Sequence, residues 1–205
     1  FKITLLHFIL NEPAYQAYTD LKEVLKGKDY DIVTTNQDTQ FAKAFPEKDI
    51  AIIQGDDRYL QCSRRCHDKV YESTQLINDL FPQIKNGELP KDLIPLCPKC
   101  GAEMIEWVRG FKFLEGTFYD EQYEKNRNFI KKAETRKTIY LELGVGLMTP
   151  EFIKDPFINF TNSNPNSIYI IVNPKDAIVP DIIEKRAIPV KYDIGKVMSD
   201  LKEIV

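Results

Sequence analysis

The sequence predicts an α/β protein: an open parallel sheet with a small cysteine-bearing lobe inserted into it. Three observations carry this. Short runs of β-branched residues alternate with segments of helical periodicity. Those runs end in polar residues or glycine. Four cysteines fall in two close pairs, both within the stretch where the alternation lapses.

The elements follow in order. Asn11-Glu12-Pro13 is expected to open a helix, with Ala14, Ala17, Tyr18, Leu21, Val24 and Leu25 at helical spacing and Gly27 as its stop. Residues 31–35 read as a buried strand that ends in Asn36-Gln37-Asp38. A short helix through Phe41, Ala42 and Phe45 leads to a second strand, 49–53, ending in Gln54-Gly55-Asp56-Asp57. Residues 58–115 are the insertion, with an amphipathic helix near Val70 to Phe81 and short strands at Met104 to Trp107 and Phe111 to Leu114. The lobe is expected to be ordered by a metal more than by a core. After it come a charged helix over 120–134, a strand over 138–143 ending in Gly144-Val145-Gly146, and a helix started by Thr149-Pro150-Glu151. Strands over 167–172 and 187–190 follow, and Asp193 caps a last helix through Val197, Leu201 and Ile204. The division expected is 1–57 and 116–205 as two parts of one Rossmann-like domain, with 58–115 inserted.

Composition excludes several classes. The 205 residues are 43% hydrophobic and 29% charged with a net charge of −3, which argues against disorder and against a general nucleic-acid binder. No window approaches eighteen apolar residues, so no membrane span is expected. The start, Phe1-Lys2-Ile3, has neither Met nor the pattern of a signal peptide, and the chain is read as cytoplasmic with residues missing upstream.

Cys62 and Cys66 are separated by three residues, and Cys97 and Cys100 by Pro98-Lys99 with Gly101 following. Two such knuckles supply the four soft ligands of one structural zinc. Disulfides would need an oxidising compartment, of which the sequence gives no sign. Four thiolates leave the metal no open position, so its role is structural. His67 reads as a surface or outer group beside that centre, and His7 as a satisfied core histidine.

In open α/β sheets ligands bind at the carboxyl ends of the strands. Here those ends are Thr34-Thr35-Asn36-Gln37-Asp38, Gln54-Gly55-Asp56, Gly144-Val145-Gly146 and Asn173. Taken singly each has a plain structural reading: Gly144-x-Gly146 as a tight turn, Asn36 and Asp38 as helix caps. In this order, with the cysteine pairs between them, they resemble the sirtuin (Sir2) family over nearly the whole chain. Three departures stand out. Gln54 replaces the family's catalytic histidine, Val145 and Gly146 replace its Thr/Ser residues, and its N-terminal glycine-rich NAD loop is not in this sequence. The first two, with Gln61-Cys62-Ser63 and Leu141-Glu142-Leu143-Gly144-Val145-Gly146, resemble the macrodomain-linked bacterial class, class M.

The resemblance implies an NAD-dependent protein ADP-ribosyltransferase acting on a lipoylated carrier protein of the glycine-cleavage-H type, reversed by an operon-encoded macrodomain hydrolase. It implies NAD-site roles for Thr34 and Thr35, and Asn36 orienting the nicotinamide ribose. Asp38 would contact the nicotinamide amide and Gln54 the ribose hydroxyls. Gly144, Val145 and Gly146 would pass the adenine-side ribose and phosphate, Asn173 would bind the adenosine ribose, and Asp193 and Ile194 would flank the adenine. With only one phosphate loop, residues 1–205 alone are expected to bind NAD weakly. The other activities weighed are NAD-dependent deacylation, a silent NAD-binding module and a zinc-ribbon interaction protein.

Overall fold

A computed structural model describes residues 2–205. In chain order its elements are α1 (Lys2–Asn11), α2 (Gln16–Leu25), β1 (Ile32–Thr34), α3 (Gln40–Ala44), β2 (Ile50–Ile52), β3 (Gly55–Cys62), β4 (Val70–Glu72), α4 (Thr74–Leu80), β5 (Met104–Val108), α5 (Thr117–Glu134), β6 (Thr138–Leu143), α6 (Lys154–Ser163), β7 (Ser167–Val172), β8 (Ala187–Val190) and α7 (Ile194–Lys202). They form three sheets: β1-β2, β4-β3-β5 and β6-β7-β8. The chain divides into two units. One holds residues up to Pro13, Thr34–Lys43 and Ile50–Glu124; the other holds Ala14–Val33, Ala44–Asp49 and Lys125–Val205.

In the second unit β7 pairs in parallel with β6 and β8, as the runs of β-branched residues predict. Its core is Tyr140, Tyr169, Ile171 and Ile183, with Phe157, Ile158 and Phe160 of α6 packed against it. Helix α7 is capped as expected, Asp193 accepting the backbone N–H of Lys196 at 2.9 Å. Lys202 near its end donates to the buried Asp20 of α2 at 2.7 Å. Thr149 makes no side-chain cap. A 3-10 turn over Pro150–Phe152 comes first, and α6 starts only at Lys154.

The first unit carries the antiparallel sheet, in which β3 is central and pairs with both β4 and β5. Its core is larger than a metal-ordered lobe requires: Leu60, Ile77, Leu80, Trp107, Phe113 and Leu114 are all buried. Trp107 stacks on Phe113 at 5.0 Å between ring centroids and donates its indole N–H to the Leu114 carbonyl at 3.0 Å.

Three local expectations are corrected here. The helix expected from Asn11-Glu12-Pro13 begins at Gln16. Asn11 instead ends α1, its amide donating back to the His7 carbonyl at 2.7 Å, and Pro13 has no N–H with which to continue. Val70–Glu72 is a strand, so the helix of that region is confined to α4. Phe111 to Leu114 is a loop, pinned by buried Gln61, which donates to the Lys112 carbonyl at 2.6 Å and accepts the Leu114 N–H at 2.8 Å. No helix among the described residues is long and apolar enough to cross a membrane.

Candidate functional site

Within the first unit the end of β1 makes a tight turn. The Thr34 hydroxyl accepts the Asn36 N–H at 3.0 Å, and the Thr34 carbonyl accepts the Ile53 N–H at 3.1 Å. Asp38 accepts the Gln40 N–H at 3.2 Å and so opens α3. Thr34, Asn36, Asp38, Ile52 and Asp56 share the lining of one cleft with the start of α3. Thr35 lies on the same turn, partly buried.

Gln54 stands beside this turn. Its carbonyl accepts from the Gln37 side chain at 3.1 Å and from the Arg109 backbone at 2.9 Å. Its side chain is buried, and its amide nitrogen Nε2 has no hydrogen-bond partner. An orphaned buried donor is costly unless a ligand completes it. The next residue, Gly55, has φ +89°, and a Cβ there would lie 2.1 Å from the Trp107 carbonyl. Only glycine fits that approach, and it lets β3 leave Gln54 against the end of β5.

The carboxylates here are managed differently. Buried Asp56 is gripped by the Arg58 fork, with two contacts of 2.9 Å. Partly buried Asp57 has no such partner, and burial, then the charges of Asp56, Glu106 and Asp38, push it up to about 6. The native state therefore holds this proton more tightly than the unfolded chain. That contribution to stability is complete below the ordinary value of 3.8 and is lost as pH rises through about 6. Asp57→Asn should stabilise the protein at pH 7.5 by about 1 kcal/mol, after allowance for solvent screening. The difference from wild type should shrink towards pH 4. Denaturant unfolding at the two pH values checks this, and an equal difference at both would refute it.

Arg109 directly follows β5. Its guanidinium lies 4.4 Å from the Phe113 ring centroid, pairs with Glu115 and donates to the Tyr119 hydroxyl at 2.8 Å. A lone arginine after a strand carries no sequence signal for such packing.

The second unit gathers the remaining positions at the carboxyl ends of β6, β7 and β8. Gly144 has φ +72°, donates to the Val172 carbonyl at 3.0 Å, and would bring a Cβ within 2.8 Å of Ile194. Asn173 donates to the Val145 carbonyl at 3.1 Å, while its side-chain oxygen accepts the N–H groups of Lys175 and Asp176 at 2.9 Å each. Its amide thus shapes the Gly144-Val145-Gly146 turn. Asp193 caps α7 next to Ile194.

The metal centre closes as the spacing predicts. The Sγ atoms of Cys62, Cys66, Cys97 and Cys100 lie within 4.8 Å of one another, with Cys62–Cys100 at 3.5 Å and Cys66–Cys97 at 3.6 Å. A tetrahedron with Zn–S bonds of about 2.3 Å has edges of about 3.8 Å, so the set fits zinc with no open position. Arg65 at φ +49° and Gly101 at φ +69° make the two knuckle turns. Burial pushes the Cys62 thiol up, but hydrogen bonds from the backbone N–H groups of Cys66 and Arg64 and from neighbouring thiols outweigh it and bring it down to about 6. His67 is the expected outer group, its Nδ1 3.1 Å from the Cys66 sulfur and its Nε2 2.7 Å from the Tyr71 hydroxyl.

These features define an α/β fold of the Sir2 type with a closed four-cysteine centre. The chain superposes on a Sir2 homologue in complex with NAD with a TM-score of 0.67 at 17% identity, covering 96% of this chain and 66% of that one. It superposes on a mutant Sir2 homologue in complex with ADP-ribose with a TM-score of 0.68 at 16% identity, covering 99% and 71%. In sequence it is 34% identical over 193 residues to a protein ADP-ribosyltransferase of Staphylococcus aureus, spanning 93% of this chain and 61% of that protein. A probable bifunctional ADP-ribose hydrolase/ADP-ribosyltransferase of Fusarium oxysporum f. sp. cubense is 29% identical over 206 residues, 94% of this chain and 34% of that protein. The chain thus spans about three-fifths of the first relative and one-third of the second. No family model matches it.

Proposed function

We propose that this chain is the catalytic part of an NAD-dependent protein ADP-ribosyltransferase of sirtuin type. The observation that carries the reading is Gln54: a buried amide donor without a partner, beside the turn that bears Asn36 and Asp38. The bacterial relative named a protein ADP-ribosyltransferase supports it.

When bound, NAD would supply a bond between nicotinamide and ribose that is activated by its cationic leaving group. Its cleavage passes through a cation-like state, so orientation and electrostatics dominate. Asn36 would hold the nicotinamide ribose, Asp38 the nicotinamide amide, and the Gln54 Nε2 would donate to a ribose hydroxyl. Deacylation needs more, because a base must take a proton from a ribose hydroxyl in its second stage. A histidine suits that task, whereas Gln54 has no titratable nitrogen. Loss of a general base removes typically 10²–10⁴-fold of rate. What survives is transfer of ADP-ribose to an acceptor side chain.

The acceptor in this reading is a lipoylated carrier protein of the glycine-cleavage-H type, and the enzyme belongs to the macrodomain-linked class. Its partner is a macrodomain that hydrolyses the modification. The fungal relative, named as a hydrolase and a transferase in one protein, supports such a pairing.

The test incubates the protein with adenylate-labelled NAD and the lipoylated carrier, and in parallel with an acetyl-lysine peptide. Label on the carrier with negligible acetyl-ADP-ribose is expected. Robust deacetylation would overturn the reading, since Gln54 would then be no obstacle.

A further inference from the structure

Strand β6 carries a charged residue in an otherwise apolar run, Thr-Ile-Tyr-Leu-Glu-Leu, and the nucleotide-site reading leaves it without a task. Glu142 is 1% exposed and Lys154 5% exposed, and they pair at 2.6 Å. The Tyr169 hydroxyl, on a fully buried side chain of β7, donates to the other oxygen of the same carboxylate.

The placement of this cluster is specific. Glu142 lies two residues before Gly144, where the loop to α6 begins, and Lys154 is the first residue of α6, where that loop ends. One ion pair therefore joins the two stems of the loop, and Tyr169 ties both to the neighbouring strand. Between the stems the tip of the loop is open, Leu147 being 57% and Met148 95% exposed, and only near its end does the loop bury a side chain, Ile153. Its entry is fixed by the bonds of Gly144 to the Val172 carbonyl and of Asn173 to the Val145 carbonyl. Its exit is fixed by Lys154.

Stability is a poor reason for such a cluster. Removing two charges from water costs several kcal/mol per ion, and apolar residues of similar volume often serve stability as well or better. A buried pair does fix one geometry, because neither charge tolerates losing its partner.

We propose that Lys154, Glu142 and Tyr169 are positioning residues that hold loop 144–153 in the shape that receives the adenosine half of the dinucleotide. This rests on the NAD reading above. The cluster touches no reacting atom; it acts through the backbone of the loop.

The test replaces both charges at once, Lys154→Met with Glu142→Leu, in the full-length protein. Its melting temperature should stay within a few degrees of that of wild type, the apolar pair offsetting the Tyr169 hydroxyl left without its acceptor. In the ligand-free protein, the amides of residues 145–149, 151 and 152 should exchange at least tenfold faster, and the Kd for ADP-ribose should rise at least tenfold. Lys154→Arg should keep both near wild type, and Tyr169→Phe, which removes one hydrogen bond without a charge, should fall between. Unchanged loop exchange in the double variant and in Tyr169→Phe would overturn the proposal. A wild-type protein that binds no ADP-ribose, with loop exchange still faster in the variants, would sustain the clamp and overturn the NAD reading instead.

Discussion

Cys100→Ser should release the zinc and destabilise the protein by about 4 kcal/mol or more, the range in which loss of a metal falls. Four thiolates within 4.8 Å of one another repel strongly unless a cation sits among them. Two of them, Cys62 and Cys97, are buried, so stripping the metal leaves desolvated sulfur with nothing to balance it. The damage would spread along the chain. Cys62 ends β3, the central strand of its sheet, and the Ser63 N–H donates to the Glu103 carbonyl at 3.0 Å, binding one knuckle to the other. The loss is nonetheless smaller than for an isolated zinc finger, where binding free energy is the whole folding free energy, on the order of 10 kcal/mol. Trp107, Phe113, Leu60 and Ile77 bury apolar surface in the same unit without the metal's help. Elemental analysis should find one zinc per wild-type chain and none in the variant. A Cys100→Ser protein that is zinc-loaded and as stable as wild type would refute the assignment.

What could be read from the sequence follows from the range of the interactions involved. Strands β6 and β7 were legible as apolar runs rich in β-branched residues, which need no partner to be recognised. The metal centre was legible because each knuckle is local. Strand β3 was not. Asp56, Asp57 and Arg58 look like a polar turn, and only the fold places the Arg58 fork on Asp56 so that the strand can be buried there. Helix α1 was not legible either, since its anchors are distant: His7 stacks on Phe81 at 3.8 Å and meets Asn78 at 2.9 Å. The candidate site divides in the same way. Strand ends were identifiable as positions, but their side-chain engagements were not. Asn173 spends its amide on Val145, and Gln54 leaves its own unspent. The Lys154–Glu142 pair spans twelve positions of sequence, and neither residue announces its burial.

Asn36→Ala should lower nicotinamide release by about 10²–10³-fold, the usual loss when one preorganised group facing a charge-developing transition state is removed. The turn after β1 should be kept. Asn36 is exposed in its cleft, and the hydrogen bond that shapes its turn runs from its backbone N–H to the Thr34 hydroxyl, which alanine keeps. Asp38 would make a poorer test, because its carboxylate also accepts the Gln40 N–H at the start of α3 and its loss would fray that helix. The substitution at Asn36 therefore keeps the backbone hydrogen bond of the turn while removing the side chain from the cleft. Melting temperature and zinc content should match wild type while release of nicotinamide from NAD collapses. Because the group acts on bond cleavage more than on ground-state binding, kcat should fall much further than KM rises. A variant that cleaves NAD at the wild-type rate would remove the turn after β1 from the active site, and with it the role assigned to Gln54 beside it.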